Sequence, residues 1–194
     1  MDFVPVNEPL LDGNEKKYLA ECIDTGWVSS VGAFVDRFEN DLRACTGASH
    51  AVATSNGTAA LHICLLLAGV QPGDEVLMPA LTFIATANAV SYAGAVPHFV
   101  DSETRSLGVD AQALDAFLRD IAERREGASF NRRTGARLRA LVVMHVFGHP
   151  CDLDALADVA ARWNLVLIED AAESLGASYK GRHTGNVGRV SALS

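Results

Sequence analysis

Residues 140–170 read ALVVMHVFGHPCDLDALADVAARWNLVLIED, and this stretch decides the fold. Ala140 to His145 is almost purely apolar, and Leu165 to Ile168 is apolar without interruption. Between them Asp152 stands where a helix cap belongs, ahead of a helical run through Trp163. Strands that are apolar at every position must be buried on both faces, and strand–helix–strand order makes neighbouring strands parallel. The same rhythm runs upstream. Ala51 to Thr54 reads as a short strand, and Gly57 to Ala68 as a helix stopped by Gly69. Glu75 to Met78 reads as a strand, Phe83 to Tyr92 as a helix stopped by Gly94, and Val96 to Val100 as a strand. Asp110 caps a helix that runs to about Glu126. The fold class is α/β, a mostly parallel sheet covered by helices on both faces. The ligand crevice of such a sheet lies at the carboxyl ends of its strands.

Two amphipathic helices come first. One runs from Asn14 to Asp24. The other runs from Ala33 to Cys45 and places Phe34, Phe38, Leu42 and Cys45 on one face. Residues 1–48 are thus a helical segment contributing to a large domain formed by residues 49–194. An apolar fraction of 49% and a charged fraction of 21% suffice for one buried core. The net charge of −8 argues against nucleic acid or an anionic membrane as partner. No apolar run is long enough to span a bilayer. Met1-Asp2-Phe3-Val4-Pro5 lacks the basic and apolar regions of a signal peptide, so the cytoplasm is expected.

The four cysteines, Cys22, Cys45, Cys64 and Cys151, form no CxxC and read as reduced thiols. His145-x-x-x-His149-x-Cys151 has the look of a metal site. No further acid or cysteine stands at ligand spacing, so a strand-end histidine and a loop histidine are favoured and no metal is expected. Residues 119–139 hold seven arginines against three acids. They read as a helix end and an exposed, solvated loop, with an electrostatic landing site for an anionic substrate as the alternative.

Three segments carry chemistry. Ser55-Asn56-Gly57-Thr58-Ala59-Ala60-Leu61 joins a strand to an apolar helix. Gly57 permits close backbone approach, the Thr58 and Ala59 N–H groups start the helix, and the helix dipole favours an anion there. The same residues would also serve as an ordinary cap. The segment is neither a Walker A loop nor GxGxxG. Asp170 follows the buried run Val166-Leu167-Ile168, with Glu173 three residues on. A half-buried carboxylate there would stabilise a protonated ring nitrogen, or else cap the next element. Phe83 follows the strand that ends near Met78-Pro79 and could stack on a planar ring or belong to the core.

Taken together these motifs resemble the DegT/DnrJ/EryC1/StrS family of sugar aminotransferases, which bind pyridoxal phosphate (PLP) on a type I, aspartate aminotransferase-like fold. The likeness covers Gly26-Trp27-Val28-Ser29-Ser30 and Asn56-Gly57-Thr58-Ala59-Ala60-Leu61-His62. It continues through Thr82-Phe83-Ile84-Ala85-Thr86-Ala87-Asn88 and Val146-Phe147-Gly148-His149-Pro150 to Glu169-Asp170-Ala171-Ala172-Glu173. The resemblance implies that Gly57, Thr58 and Ala59 hold the cofactor phosphate, with Ser194 also touching it. It implies that Phe83 stacks on the ring, Asp170 pairs with the ring nitrogen and Glu173 approaches the ring hydroxyl.

Glu173 and residues 26–30 look most like the branch that aminates 4-keto-6-deoxy UDP-N-acetylhexosamines. The implied reaction is transamination of a 4-keto nucleotide sugar in polysaccharide or nonulosonic acid biosynthesis, with glutamate as donor. A sugar dehydratase of the same family and a non-catalytic half acting by association are alternatives. In the family the cofactor's covalent lysine follows the matching serine within a few residues. The lysines here are Lys16, Lys17 and Lys180, and none matches it. This chain is therefore expected to be the N-terminal half of such an enzyme. It would have no catalytic residue of its own, lack the C-terminal small domain, be inactive alone and form a homodimer when complete.

Overall fold

The computed structural model describes residues 4–5 and 8–194. Met1 to Phe3, on which the reading of the N-terminus partly rests, lie outside the described residues. Helices α1 (Glu15–Thr25), α2 (Ala33–Thr46) and α3 (Gly57–Leu67) precede strand β1 (Glu75–Pro79). Then come α4 (Ile84–Tyr92), β2 (Val96–Val100), α5 (Ala111–Ile121) and a hairpin of β3 (Ala122–Arg125) and β4 (Ala128–Asn131). Strand β5 (Arg137–Met144), a 3-10 turn (Val146–Gly148), α6 (Leu153–Arg162) and β6 (Val166–Asp170) follow. A small hairpin of β7 (Ser178–Tyr179) and β8 (Arg182–His183) leads to β9 (Val190–Ala192).

Strands β2, β1, β5, β6 and β9 lie side by side in that order, all parallel. From β1 the chain steps outward to β2, then returns to β1's other side with β5 and continues away through β6 and β9. The direction of winding therefore reverses between β1 and β5, and the crevice of the sheet opens at their carboxyl ends. Both faces are buried, as the apolar strands require. Leu77, Leu141, Val143 and Leu167 pack under α5 and α6. Val76, Met78, Ala140, Val142 and Ile168 pack under α3 and α4. One residue interrupts the alternation. Pairing with β1 jumps from Glu75↔Leu138 to Val76↔Ala140, so Arg139 is inserted as a bulge. Its Nε donates to the Ala68 carbonyl just past the end of α3 at 2.8 Å, a favourable place for a cation.

The structure departs from the sequence expectations at four places. Residues 51–54 form no strand, because the Ala53 N–H donates to the Glu39 carboxylate of α2 at 2.8 Å rather than to a neighbouring strand. The helix capped by Asp110 ends at Ile121, and the arginine-rich segment returns as a hairpin rather than a loop. Glu126 (φ 50°) and Gly127 (φ 79°) make its two-residue turn. The fully buried members of β4 are polar, Ser129 and Asn131, so no apolar alternation marks it. The apolar face expected on α2 is only partly covered: Phe34 packs on Tyr18 at 5.0 Å, while Phe38 and Cys45 are exposed. Finally, β7 to β9 add strands beyond the last one expected. Among the described residues no helix is long and apolar enough to cross a membrane.

The hairpin is tied to the sheet by a buried acid. Glu75, 3% exposed, accepts from Asn131 Nδ2 at 2.8 Å and Thr134 Oγ1 at 2.6 Å, with His98 Nδ1 at 2.8 Å. Burial works against this carboxylate, but the hydrogen bonds from Asn131, Thr134 and His98 outweigh it and hold its pKa below the ordinary range. A carboxylate held low when folded adds stability above its unfolded pKa of about 4.3, and the gain fades as pH falls through the folded value. Glu75→Gln should lower stability by about 1–3 kcal/mol at neutral pH. Urea midpoints of the two proteins should converge as the pH is taken below about 4.

Candidate functional site

A cavity of about 340 Å³ opens at the reversal point, at the carboxyl ends of β1, β5, β6 and β9. Its walls are the first turn of α3 (Asn56, Gly57, Thr58, Leu61), Phe83 and Ala85 after β1, and Met144 of β5. Asp170, Ala172 and Glu173 close it from β6, and Ala192 and Ser194 from β9. Six of the seven residues singled out from sequence thus share one cavity, which places Gly57, Thr58, Phe83, Asp170, Glu173 and Ser194 around a common space. Ala59 is not on its wall. Its N–H, expected to be free, donates at 2.9 Å to the side chain of Asn56, which caps α3.

Each side chain is placed by a local cause. Gly57 opens α3 beside the end of β9: a Cβ there would lie 2.8 Å from both Cβ and Oγ of Ser194. Only a bare backbone fits this approach, so two elements meet as one cradle. Phe83 precedes α4 in an extended conformation and is 67% exposed, lying on the rim rather than in the core. Asp170 is the last residue of β6 and is 3% exposed. Its Oδ2 accepts from Thr86 Oγ1 at 2.8 Å and its Oδ1 from the Ala172 N–H at 3.3 Å. Thr86 is itself 2.9 Å from Thr82 Oγ1, so a hydroxyl chain runs from the end of β1 to the carboxylate. Glu173 is exposed and uses Oε2 to accept the Phe147 N–H at 2.6 Å. That bond holds Phe147 in a left-handed conformation (φ 52°) with its ring 73% exposed.

Some features stand apart from the cavity. The arginine-rich hairpin pairs with the beginning of β5, the opposite end of that strand from Met144. The landing-site alternative therefore does not place it at the pocket. His145 and His149 do not converge: His145 Nε2 meets Glu169 Oε2 at 2.9 Å, while His149 Nδ1 lies 3.2 Å from the Val146 carbonyl. Lys180 sits in the β7–β8 turn, paired with Asp154 at the start of α6 on the other face of the sheet. Thr86 and Glu169 were not among the residues that the sequence marks as chemical. A threonine one helical turn after Thr82 was a usable signal for the first, whereas nothing local distinguished Glu169 from a second strand-end acid.

Comparison with known proteins gives the cavity a context. Residues 9–194 match the DegT/DnrJ/EryC1/StrS aminotransferase family. The chain is 42% identical over 191 residues to the GDP-perosamine synthase of Caulobacter vibrioides, covering 98% of this chain and 47% of that protein. The GDP-perosamine synthase of Escherichia coli O157:H7 is 37% identical over 194 residues, covering 100% and 49%. Among solved structures, a Streptococcus pneumoniae protein assigned as a sugar aminotransferase, in its PLP form, superposes with a TM-score of 0.82 at 25% identity, covering 98% of this chain and 48% of that one. The chain spans about half the length of the curated relatives it matches.

The electrostatics of the cavity centre on Asp170. Burial pushes its pKa up, and the bonds from Thr86 and Ala172 offset this only in part. Burial and the nearby Asp170 likewise push the Cys64 thiol up to about 11. No lysine or arginine pairs with Asp170 among the described residues. An acid whose pKa is raised by folding costs stability once the pH passes its unfolded value of about 3.9. Asp170→Asn should accordingly unfold at a higher urea concentration than the wild type at pH 7 without ligand. The advantage should vanish near pH 3.

Proposed function

This chain belongs to the DegT/DnrJ/EryC1/StrS aminotransferase family, and we propose that its cavity holds pyridoxal phosphate in an enzyme that aminates the 4-keto carbon of a nucleotide sugar. The observation that carries the reading is a buried carboxylate that pairs with no cation among the described residues, facing a helix N-terminus across one cavity. The residues fit the group. Gly57 and Ser194 form a backbone-walled cradle that a single Cβ would fill, and the unpaired acid matches a protonated ring nitrogen. When bound, the cofactor supplies an electron sink through which an amino group passes from donor to keto sugar.

The chain's own residues do the holding. The Gly57 and Thr58 N–H groups, the Thr58 hydroxyl and the Ser194 hydroxyl donate to the phosphate, with the α3 dipole behind them. Ala59 contributes through the cap rather than directly, since Asn56 takes its N–H. Asp170 keeps a proton on the ring nitrogen, and the hydroxyl of Thr86 fixes which way its carboxylate turns. Phe83 covers one ring face. Glu173 has one oxygen engaged by Phe147 and the other available for the ring hydroxyl. No lysine lines the cavity among the described residues, so the covalent amine is assigned to polypeptide outside this chain.

The donor is read as glutamate. The acceptor is read as a GDP-linked 4-keto sugar, because the relatives of 42% and 37% identity are GDP-perosamine synthases. This replaces the UDP-N-acetylhexosamine expected from residues 26–30 and Glu173. The partner is read as a second copy of the chain, supported by the exposed apolar face of Ile63, Leu66 and Leu67 on α3.

Two measurements test this. Pyridoxamine phosphate, which needs no covalent lysine, should quench its own fluorescence on titration with the chain. Gly57→Ala should weaken that binding by about tenfold, because its Cβ would displace Ser194. Absence of binding to the wild type would sink the proposal. For the substrate, a polypeptide of the relatives' length carrying this chain should convert a GDP-linked 4-keto-6-deoxyhexose and glutamate to an amino sugar seen by mass spectrometry. Preference for the UDP-linked N-acetyl analogue would overturn the GDP assignment alone.

A further inference from the structure

Glu169 stands beside Asp170 on β6 and points to the opposite face of the sheet. It is fully buried, as is His145. Its carboxylate is saturated. Oε1 accepts the N–H groups of Val187 at 2.8 Å and Gly188 at 2.6 Å, and Oε2 accepts the Gly185 N–H at 2.7 Å and His145 Nε2 at 2.9 Å. The His145 ring is set in turn by the Cys151 N–H, which donates to Nδ1 at 3.2 Å and so leaves a proton on Nε2, aimed at Glu169. Burial opposes the charge on Glu169, but the bonds from His145, Gly188 and Gly185 hold its pKa below the ordinary range.

An apolar side chain of similar size would fill this space as well as a buried charge does. What the carboxylate adds is a fixed position for three backbone N–H groups, and those belong to the loop that feeds β9. Gly188 lies so close to β6 that a Cβ would stand 3.0 Å from the Leu167 carbonyl and 3.3 Å from Glu169 Cγ. Gly185, at φ 93°, leaves room for Ser191 of β9, whose Oγ would be 2.9 Å from a Cβ there. From this anchored loop β9 pairs with β6 from Ile168↔Val190 to Asp170↔Ala192, and Ser194 then reaches the first turn of α3.

We infer that Glu169, oriented by His145, is a positioning residue that sets where β9 delivers Ser194 to the phosphate side of the cavity, while Asp170 on the same strand serves the ring side. The inference rests on the pyridoxal phosphate reading above. It separates two contributions to affinity that a general stabiliser would affect together.

The test uses Glu169→Gln and Gly188→Ala, which disturb the same contact from its two sides, with amide hydrogen exchange and fluorescence titration as readouts. Exchange at residues 189–192 should quicken about tenfold or more while β1 and β2 keep wild-type protection. Pyridoxamine phosphate should bind about tenfold more weakly, and pyridoxamine, which lacks the phosphate, within about twofold of wild type. Ser194→Ala should reproduce the phosphate-specific loss without the change in exchange. If β9 is no more perturbed than β1, or if both ligands weaken alike, Glu169 is an ordinary core residue and the inference is overturned. If the wild-type chain does not distinguish the two ligands, the cofactor reading itself fails and takes the inference with it, whatever the exchange data show.

Discussion

The inner parallel strands β1, β5 and β6 are buried on both faces, and that constraint fixes where chemistry can occur. With helices covering both sides of the sheet, the strands carry apolar residues along their length and can expose polar groups only at their ends. The winding reverses between β1 and β5, so no connection covers the carboxyl ends of those strands. The cavity is the consequence. Four strand ends and one helix N-terminus reach it because the topology leaves them nowhere else to point.

The end of β6 shows how the same strand can meet two opposite demands. Glu169 and Asp170 are both buried acids, one residue apart and facing opposite sides. Glu169 is given four donors and its charge is favoured. Asp170 is given two and its charge is disfavoured. A fully satisfied carboxylate anchors structure. An incompletely satisfied one is stabilised by any cation brought to it, which is the condition under which a ligand bearing a protonated nitrogen gains most from binding.

Much of this was legible in the sequence, and the exceptions have a common cause. The α/β alternation followed from apolar strands such as Leu165 to Ile168, because burial writes itself into side-chain type. The caps at Asp110 and Asp152 were readable for the same reason: each accepts a backbone N–H three residues on. What could not be read were elements held by hydrogen bonds between distant residues. The β3–β4 hairpin is anchored through Ser129, Asn131 and Thr134 rather than through apolar faces. Residues 51–54 look like a strand, yet their Ala53 amide is taken by Glu39. As cavity residues, Gly57, Thr58 and Asp170 were legible because they sit at strand and helix ends, and Glu173 because it stands three residues beyond one. The positions of Glu169 and His145 relative to the 185–188 loop needed the tertiary fold.

The cradle at the helix N-terminus draws on both ends of the described chain. Gly57 and Thr58 follow a segment held by Glu39 of α2, whereas Ser194 follows β9, which is held by its pairing with β6. An anion bridging the two would therefore bind the assembled sheet and not its parts. By mass action such a ligand stabilises the state in which β9 is docked. The N-terminal helices share in this coupling, because Asn186 Nδ2 in the β9 loop donates to the Thr46 carbonyl at the end of α2 at 2.6 Å. Helix α2 thus holds the segment leading to Gly57 through Glu39 and the loop leading to β9 through Thr46. A segment with almost no buried side chains of its own is thereby made part of the site's framework.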